Sequence, residues 1–363
     1  MTISILLPDL RGGGAERVNL DLAHEFARQG YRVVFVLMRA EGEFLPEARA
    51  AFDVVDLKAP RARNVPTALA RYLRTDRPDA LIASLWPLTF AAVVAQKLAR
   101  SGTKVMVVEH STLSAQYRGQ GHLHHAGLRL SLALETRLAD VAAAVSSGAA
   151  ADVAHLAFRR ADRVRVLNNP IPLRAAPSLA AQSAANAFWS AADSARILSV
   201  GSFKEVKNNP LMLRAYARVR RERPAQLMML GQGDGEAALR ALARDLGIAD
   251  DVIFAGFHPD PTPFYQSADV FVLSSDYEGF GNVIVEALAN GLPVVSTECP
   301  SGPAEILKDG EFGTLVPVRD EVALAHAIGH SLDTPSDPEK LCRRAAEFAP
   351  EIAARRYLDL LFP

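Results

Sequence analysis

The sequence predicts an α/β protein of two doubly wound units, each a parallel sheet wrapped by helices. Three observations carry this. Short apolar runs rich in Val, Ile and Leu alternate with longer stretches of helical periodicity. The alternation pauses in an Ala/Ser/Pro-rich stretch that follows Asn168-Asn169-Pro170-Ile171-Pro172-Leu173, and resumes near Ala195. The chain's 363 residues, 49% hydrophobic and 22% charged, are enough for two cores.

In the first half, residues 3–7, 32–38, 54–57, 80–84, 104–109, 141–145 and 163–167 read as strands. They are apolar almost throughout, as strands covered on both faces must be. Helical patterns at 15–29, 66–74, 88–100 and 127–139 separate most of them. The stretch up to about Ala195 reads as a linker with little packing. In the second half the strands are 196–200, 226–230, 252–255, 270–273, 293–297 and 313–316, with helices near 209–222, 236–246, 282–290 and 321–331. In such folds ligands sit beyond the carboxyl ends of the strands, so the loops there are where functional residues are sought.

Composition excludes several classes of partner. Forty basic residues against 41 acidic ones give a net charge of −1, so no whole-protein field favours nucleic acid. Cys299 and Cys342 are the two cysteines, too few and too far apart for a disulfide scaffold or a thiolate metal site, and they fit a reducing compartment. The run 3–7 has no basic segment before it and is far shorter than a secretory core or a membrane span, so a cytoplasmic location is expected.

Two glycine-bearing junctions stand out. Gly12-Gly13-Gly14 joins the first strand to the first helical pattern; it reads either as a plain turn or as bare backbone that a ligand approaches closely. Tyr277-Glu278-Gly279-Phe280-Gly281-Asn282-Val283 leads from a strand ending at Leu273 into a helix, with Glu286 about one turn inside it. The first-turn N–H groups and the positive end of the helix dipole suit a diphosphate. Two carboxylates near that end can each accept paired hydrogen bonds from vicinal hydroxyls of a sugar and a ribose.

At these residues the sequence resembles the retaining glycosyltransferases of family 4, which have the two-domain GT-B fold. The resemblance rests on EGFGNVIVE, its continuation ANGLPVVST, the N-terminal GGGAER, VGSFKEVKNNPLMLRAY and GFHPD, in the family's order over nearly the whole chain. It implies two Rossmann-like domains facing a cleft. Residues 1–170 with 350–363 would bind the acceptor, and 171–349 the nucleoside diphosphate sugar. Residues 350–362, with Ile352, Tyr357, Leu360 and Leu361 as one apolar stripe, would form a helix returning to the first domain.

The resemblance also implies roles. Glu278 would contact the transferred sugar, Glu286 the donor ribose, and Lys207 the leaving diphosphate. Many members carry Arg directly after the glycine where this chain has Ser202, which leaves Lys204 either as the second cation or as a solvated surface lysine. Gly13 and Gly14 would approach the diphosphate, Gly279 to Val283 the donor, and the loop of Phe257 the base. His110, at the end of a strand, would lie near the transferred sugar. Arg11, Glu16, Tyr117 and Arg118 are the acceptor-side candidates.

No cofactor and no metal are expected; His122, His124 and His125 read as solvent or acceptor contacts rather than a metal site. Cys299-Pro300-Ser301-Gly302-Pro303-Ala304-Glu305 reads either as a Pro-framed turn or as part of the sugar site, and it resembles members that extend polyprenyl-diphosphate-linked glycans. The expected activity is therefore retaining transfer of a hexose or N-acetylhexosamine, UDP-linked, to a glycan or lipid-linked glycan. The segment 117–137, with Arg118, Arg129, Arg137, Leu130, Leu132 and Leu134, is either an ordinary core helix with a solvated loop or a contact with anionic membrane at the inner face of the plasma membrane. A UDP-sugar epimerase of similar fold and a non-catalytic nucleotide-sugar sensor are the alternatives.

Overall fold

The computed structural model describes residues 1–173, 176–191 and 193–363. They form two compact units, Met1–Pro172 together with Phe348–Pro363, and Leu173–Glu347. Each is built on one wholly parallel sheet, the fold class the sequence predicts.

In the first unit the strands are β1 (Thr2–Leu7), β2 (Arg32–Leu37), β3 (Asp53–Asp56), β4 (Ala80–Ser84), β5 (Lys104–Glu109), β6 (Val141–Ala144) and β7 (Arg165–Val166), in the order β3-β2-β1-β4-β5-β6-β7. The sequence expectation of a five-residue last strand is too long, because a 3₁₀ turn at Ala161–Arg163 takes its first residue. The second unit has β8 (Ala195–Val200), β9 (Ala225–Leu230), β10 (Val252–Gly256), β11 (Val270–Leu273), β12 (Val294–Thr297) and β13 (Thr314–Val316), ordered β10-β9-β8-β11-β12-β13. Central strands such as β4, β9 and β11 are buried end to end, which is why they read as unbroken apolar runs.

This order fixes where ligands can bind. The chain winds one way from the β1/β4 pair and the other way beyond it, and the second unit does the same at β8/β11. Loops leaving the carboxyl ends of those pairs diverge and open a crevice. The three glycines follow β1, Trp86 follows β4, Lys207 follows β8 and Glu278 follows β11.

The terminal helix, Pro350–Leu361, belongs to the first unit. Phe26 meets Tyr357 at 6.3 Å between ring centroids, Tyr31 stacks on Phe362, and Lys104 Nζ donates to the Leu361 carbonyl at 2.9 Å. Its buried stripe is Ala354, Tyr357, Leu358 and Leu361, an i, i+3, i+4, i+7 set; Ile352, placed in the stripe from sequence, is exposed because it lies on the opposite side.

Two further expectations change, and some helices were not foreseen. The stretch read as a poorly packed linker holds a helix, Leu179–Asn186, capped by Ser178 Oγ on the Ala181 N–H. Trp189 behind it is buried, with its indole N–H on Ser267 Oγ at 2.9 Å; Arg174, Ala175 and Ala192 of that stretch lie outside the described residues. The helix expected from residue 127 starts five residues earlier, His122–Leu138, so the three histidines sit in its first turn rather than in a loop. Helices Leu45–Ala51, Ser147–Leu156 and Pro338–Ala346 had no sequence reading. Four of the ten residues of Ser147–Leu156 are alanine, which packs closely yet gives little periodic contrast.

Candidate functional site

In the second unit, the loop after β8 is held to the segment after β11 at several points. Asn208 Nδ2 donates to Asp276 Oδ1 at 2.9 Å, the Asp276 N–H donates to the Val206 carbonyl at 2.9 Å, and Ser274 Oγ donates to the Lys207 carbonyl at 2.9 Å. Asn208 itself is left-handed and caps the helix Asn209–Glu222. This places Lys207 Nζ 2.6 Å from Glu278 Oε1, and Ser275 Oγ donates to the same oxygen at 2.6 Å. Both members of the pair are largely sheltered, with side chains 21% and 12% exposed.

Gly281 then turns the chain into the helix Asn282–Ala289. Its φ of 102° is a conformation that side-chain-bearing residues avoid, and it brings the loop onto the helix N-terminus. Glu286, one turn along, accepts from the Tyr265 hydroxyl at 2.9 Å. Tyr265 was not picked out from sequence, since its link to Glu286 exists only once β11 and the following helix are packed. Phe280 is buried, so its side chain supports the turn from below and only its backbone remains for a ligand. Gly279, Asn282 and Val283 are partly exposed at the same turn, Ser202 is partly exposed and Lys204 exposed on the β8 loop, and Phe257 is 47% exposed after β10.

The loop 299–305 joins this site. Pro300 accepts from the Glu278 N–H at 3.1 Å, and a Cβ on Gly302, whose φ is 95°, would overlap the Phe280 carbonyl. A glycine is required there because two backbones touch. Behind it, buried Arg344 donates to the Glu305 and Ile306 carbonyls, both at 2.8 Å, an anchor with no local signal in the sequence. Burial, with Glu278 nearby, pushes the Cys299 thiol up to about 12, so it stays protonated and inert.

The site loops of the first unit differ in character. Of the three glycines only Gly12 has a positive φ, at 22°; Gly13 is extended and precedes the helix Gly14–Arg28. The carboxylates of Glu16 and Glu43 lie where side chains on Gly13 and Gly12 would be, so an anion approaching this turn must displace them. Arg11 folds onto Asp9, donating at 2.6 and 2.9 Å.

His110, after β5, puts Nε2 3.2 Å from Ser84 Oγ, and Asn19 Nδ2 lies 3.2 Å from the same oxygen. Its Nδ1 is buried without a hydrogen-bond partner, and desolvation lowers the imidazole to about 4, so the ring is neutral at physiological pH. Tyr117 is half-buried against Trp86, ring centroids 5.2 Å apart, with His124 packed on both; Arg118 is exposed.

On the helix His122–Leu138, Leu123, Leu130, Leu134 and Leu138 are exposed and share one face, whereas Leu132, grouped with them from sequence, is buried in the core. No helix among the described residues is long and apolar enough to cross a membrane.

Comparison with known proteins decides the family. The family described as Glycosyltransferase Family 4 matches residues 12–175, and Glycosyl transferases group 1 matches 186–351. The chain belongs to the family 4 glycosyltransferases. It is 38% identical over 175 residues to the lipopolysaccharide core biosynthesis glycosyltransferase LpsE of Rhizobium meliloti, covering 47% of this chain and 50% of that protein. It is 36% identical over 137 residues to a Campylobacter jejuni diphospho-undecaprenol 4-alpha-N-acetylgalactosaminyltransferase, covering 38% of this chain and 37% of that one. The matched segments thus span half or less of these relatives. Among solved structures, Anabaena HepE in complex with UDP superposes with a TM-score of 0.82 at 22% identity, covering 99% of both chains, a likeness of fold. A Rickettsia africae glycosyltransferase does so at 0.81 and 16% identity, covering 99% of this chain and 97% of the other.

Proposed function

We propose that this family 4 glycosyltransferase moves a hexose or N-acetylhexosamine from a UDP-sugar, with retention and without a metal, to a lipid-linked glycan in lipopolysaccharide or cell-surface polysaccharide synthesis. The observation that carries the reading is the Lys207–Glu278 pair beside the glycine-capped start of the helix Asn282–Ala289, with Glu286 one turn along. Lys207 and the helix N–H groups oppose the charge that develops as the C1–O bond to the diphosphate breaks. Glu278 orients the sugar hydroxyls, Glu286 the ribose, and the departing phosphate oxygen takes the acceptor's proton as the new C1–O bond forms on the vacated face. Phe257 flanks the base. The first unit takes the acceptor, with Arg11, Glu16, Tyr117 and Arg118 nearest it, and His110 serves the sugar as a neutral hydrogen-bonding ring.

The exposed leucine face of the helix His122–Leu138, with Arg137 on the same helix and Arg118 in the segment before it, rests on the anionic cytoplasmic face of the membrane, where a lipid-linked acceptor is presented. The name of the Campylobacter relative, which includes diphospho-undecaprenol, supports that acceptor class. The test incubates the protein with a panel of UDP-sugars, with and without a polyprenyl-diphosphate-linked sugar, in the presence of a chelator. UDP release that requires the acceptor, a product anomer matching the donor's, and co-flotation with anionic but not neutral liposomes are expected. Sugar isomerisation without acceptor would replace this reading with an epimerase, and binding without turnover would replace it with a sensor.

A further inference from the structure

Glu109 and Glu135 are buried together in the first unit, at 2% and 0% exposure, one at the end of β5 and the other on the helix His122–Leu138. Between them stands the hydroxyl of Thr89, 2.9 Å from Glu109 Oε1 and 3.0 Å from Glu135 Oε2. A threonine hydroxyl has one hydrogen, so it can donate to only one of these oxygens. The other contact is a hydrogen bond only if that carboxyl brings a proton of its own. Glu109 Oε2 also accepts from the Trp86 N–H at 3.2 Å, whereas Glu135 Oε1 is buried with no partner. The charge therefore belongs on Glu109 and the proton on Glu135 Oε2, giving a chain from Glu135 through Thr89 to Glu109.

We propose that Glu135, Thr89 and Glu109 are positioning residues sharing one proton, a clamp that fixes the Trp86 loop and the end of β5 in the arrangement sugar transfer requires. The clamp joins three elements that meet at the carboxyl end of the sheet. Glu109 immediately precedes His110. Trp86 is held at its N–H by Glu109 and at its indole by Ser131 Oγ, 2.9 Å away, on the same helix as Glu135. Trp86 in turn packs on Tyr117 and His124. A shift in the clamp therefore moves both His110 and this aromatic cluster.

Loss of the proton would leave two carboxylates on one hydroxyl in an apolar interior, which costs Coulombic repulsion and desolvation. Burial raises both carboxyls above the usual carboxylate range, and the Glu109 charge raises Glu135 further. Neighbouring ionisable groups turn elsewhere. Lys104 donates to the Leu361 carbonyl, Arg137 to the Ala133 carbonyl, Asp140 accepts from the Val105 N–H and Asp152 from the Ser114 N–H. Arg129 lies over Phe158, His124 packs on Trp86, Lys97 is exposed, and His110 is neutral. The folded state thus holds a proton that the unfolded chain has released, so stability declines from the ordinary carboxylate range upward until the clamp titrates.

The role in transfer rests on the proposed function; the shared proton does not. The experiment compares the native chain, Glu135→Gln and Thr89→Val. Infrared spectroscopy at neutral pH should show a protonated buried carboxyl in the native chain that Glu135→Gln removes, because the Gln amide replaces the proton as donor to Thr89. In a Trp189→Phe background, which leaves Trp86 as the single indole, native emission should shift with alkaline pH as that infrared band disappears, and Glu135→Gln should abolish the shift.

With acceptor present, native turnover should fall about tenfold per pH unit once the clamp titrates, while Glu135→Gln keeps its neutral-pH rate and loses that limb. Thr89→Val should move the limb toward neutral pH. Absence of the carboxyl band, or a band that survives Glu135→Gln, overturns the shared proton. A band that behaves as expected with Trp86 emission indifferent to it overturns the clamp. Correct spectroscopy with no transfer from any UDP-sugar counts against the proposed function, and against this role in it, while leaving the proton assignment standing.

Discussion

The strand-end loops of the two units handle charge in opposite ways. In the second unit, ammonium and carboxylate meet directly, Lys207 on Glu278 at 2.6 Å, both largely sheltered yet not fully buried. In the first, around the end of β5, burial works against charge: His110 is neutral, and Glu109 and Glu135 keep one proton between them on a shared hydroxyl, while the Arg11–Asp9 ion pair stands apart after β1. On the proposed function, the second unit offsets charge on a leaving diphosphate, a task that fixed ions serve. A site that positions neutral hydroxyls is served by uncharged hydrogen-bonding groups in an apolar setting, where a misplaced charge would be costly.

The strongest way to break the contrast is to remove the support of the first unit. Truncation before Pro350 takes away the burial of Tyr357, Leu358 and Leu361, roughly 5–9 kcal/mol at about 1.5–3 kcal/mol for each large apolar side chain. Chemical denaturation should show the first unit losing its cooperative transition while UDP binding by the second survives; an unchanged melting profile would contradict the docking of this helix.

A smaller effect is expected at the charged pair. Lys207→Ala should cost about 2–4 kcal/mol of transition-state stabilisation, read from kcat. Glu278→Gln should lower turnover while leaving UDP affinity almost unchanged. Because the two side chains touch, the double variant should fall short of the sum by about 1–3 kcal/mol, and strict additivity would show that they act separately.

Next comes Gly302→Ala, which combines an unfavourable backbone conformation with overlap on the Phe280 carbonyl. It should lower the second unit's stability by about 1–3 kcal/mol and reduce turnover through the displaced Glu278 loop. Glu286→Gln should weaken UDP binding by about 1–2 kcal/mol in calorimetry with little change in kcat, and Tyr265→Phe should have the same effect at smaller size.

The smallest effect is one of pH. The lowered His110 pKa means that the folded state binds fewer protons than the unfolded chain between about pH 4 and 6.5, so this histidine's contribution to stability is present at neutral pH and fades as pH falls through that window. His110→Gln should flatten that acid slope in denaturation midpoints. The Glu109–Glu135 pair slopes the other way, so the two variants together separate the two sides of the stability profile.

Much of this was determined by the sequence alone. Fully buried parallel strands are unbroken apolar runs, so their number and order along the chain could be read directly, and EGFGNVIVE placed two carboxylates at a helix start because that geometry is local in sequence. Elements with weak local contrast escaped: the alanine-rich helix Ser147–Leu156 and the Ser-capped helix Leu179–Asn186 in the supposed linker.

Only the tertiary structure decided which distant groups touch. The Lys207–Glu278 pair spans 71 residues, the Tyr265–Glu286 contact 21, and the Arg344 anchor on Glu305 39. Ile352 and Leu132 show the same limit, since apolar character states a preference for burial but the packed neighbours choose the face. The Glu109–Thr89–Glu135 chain is the extreme case. Nothing local marks two glutamates 26 residues apart as sharing a buried hydroxyl, because the protonation of a carboxyl depends on the solvent and partners it has lost, and those are set when β5 and two helices close around it.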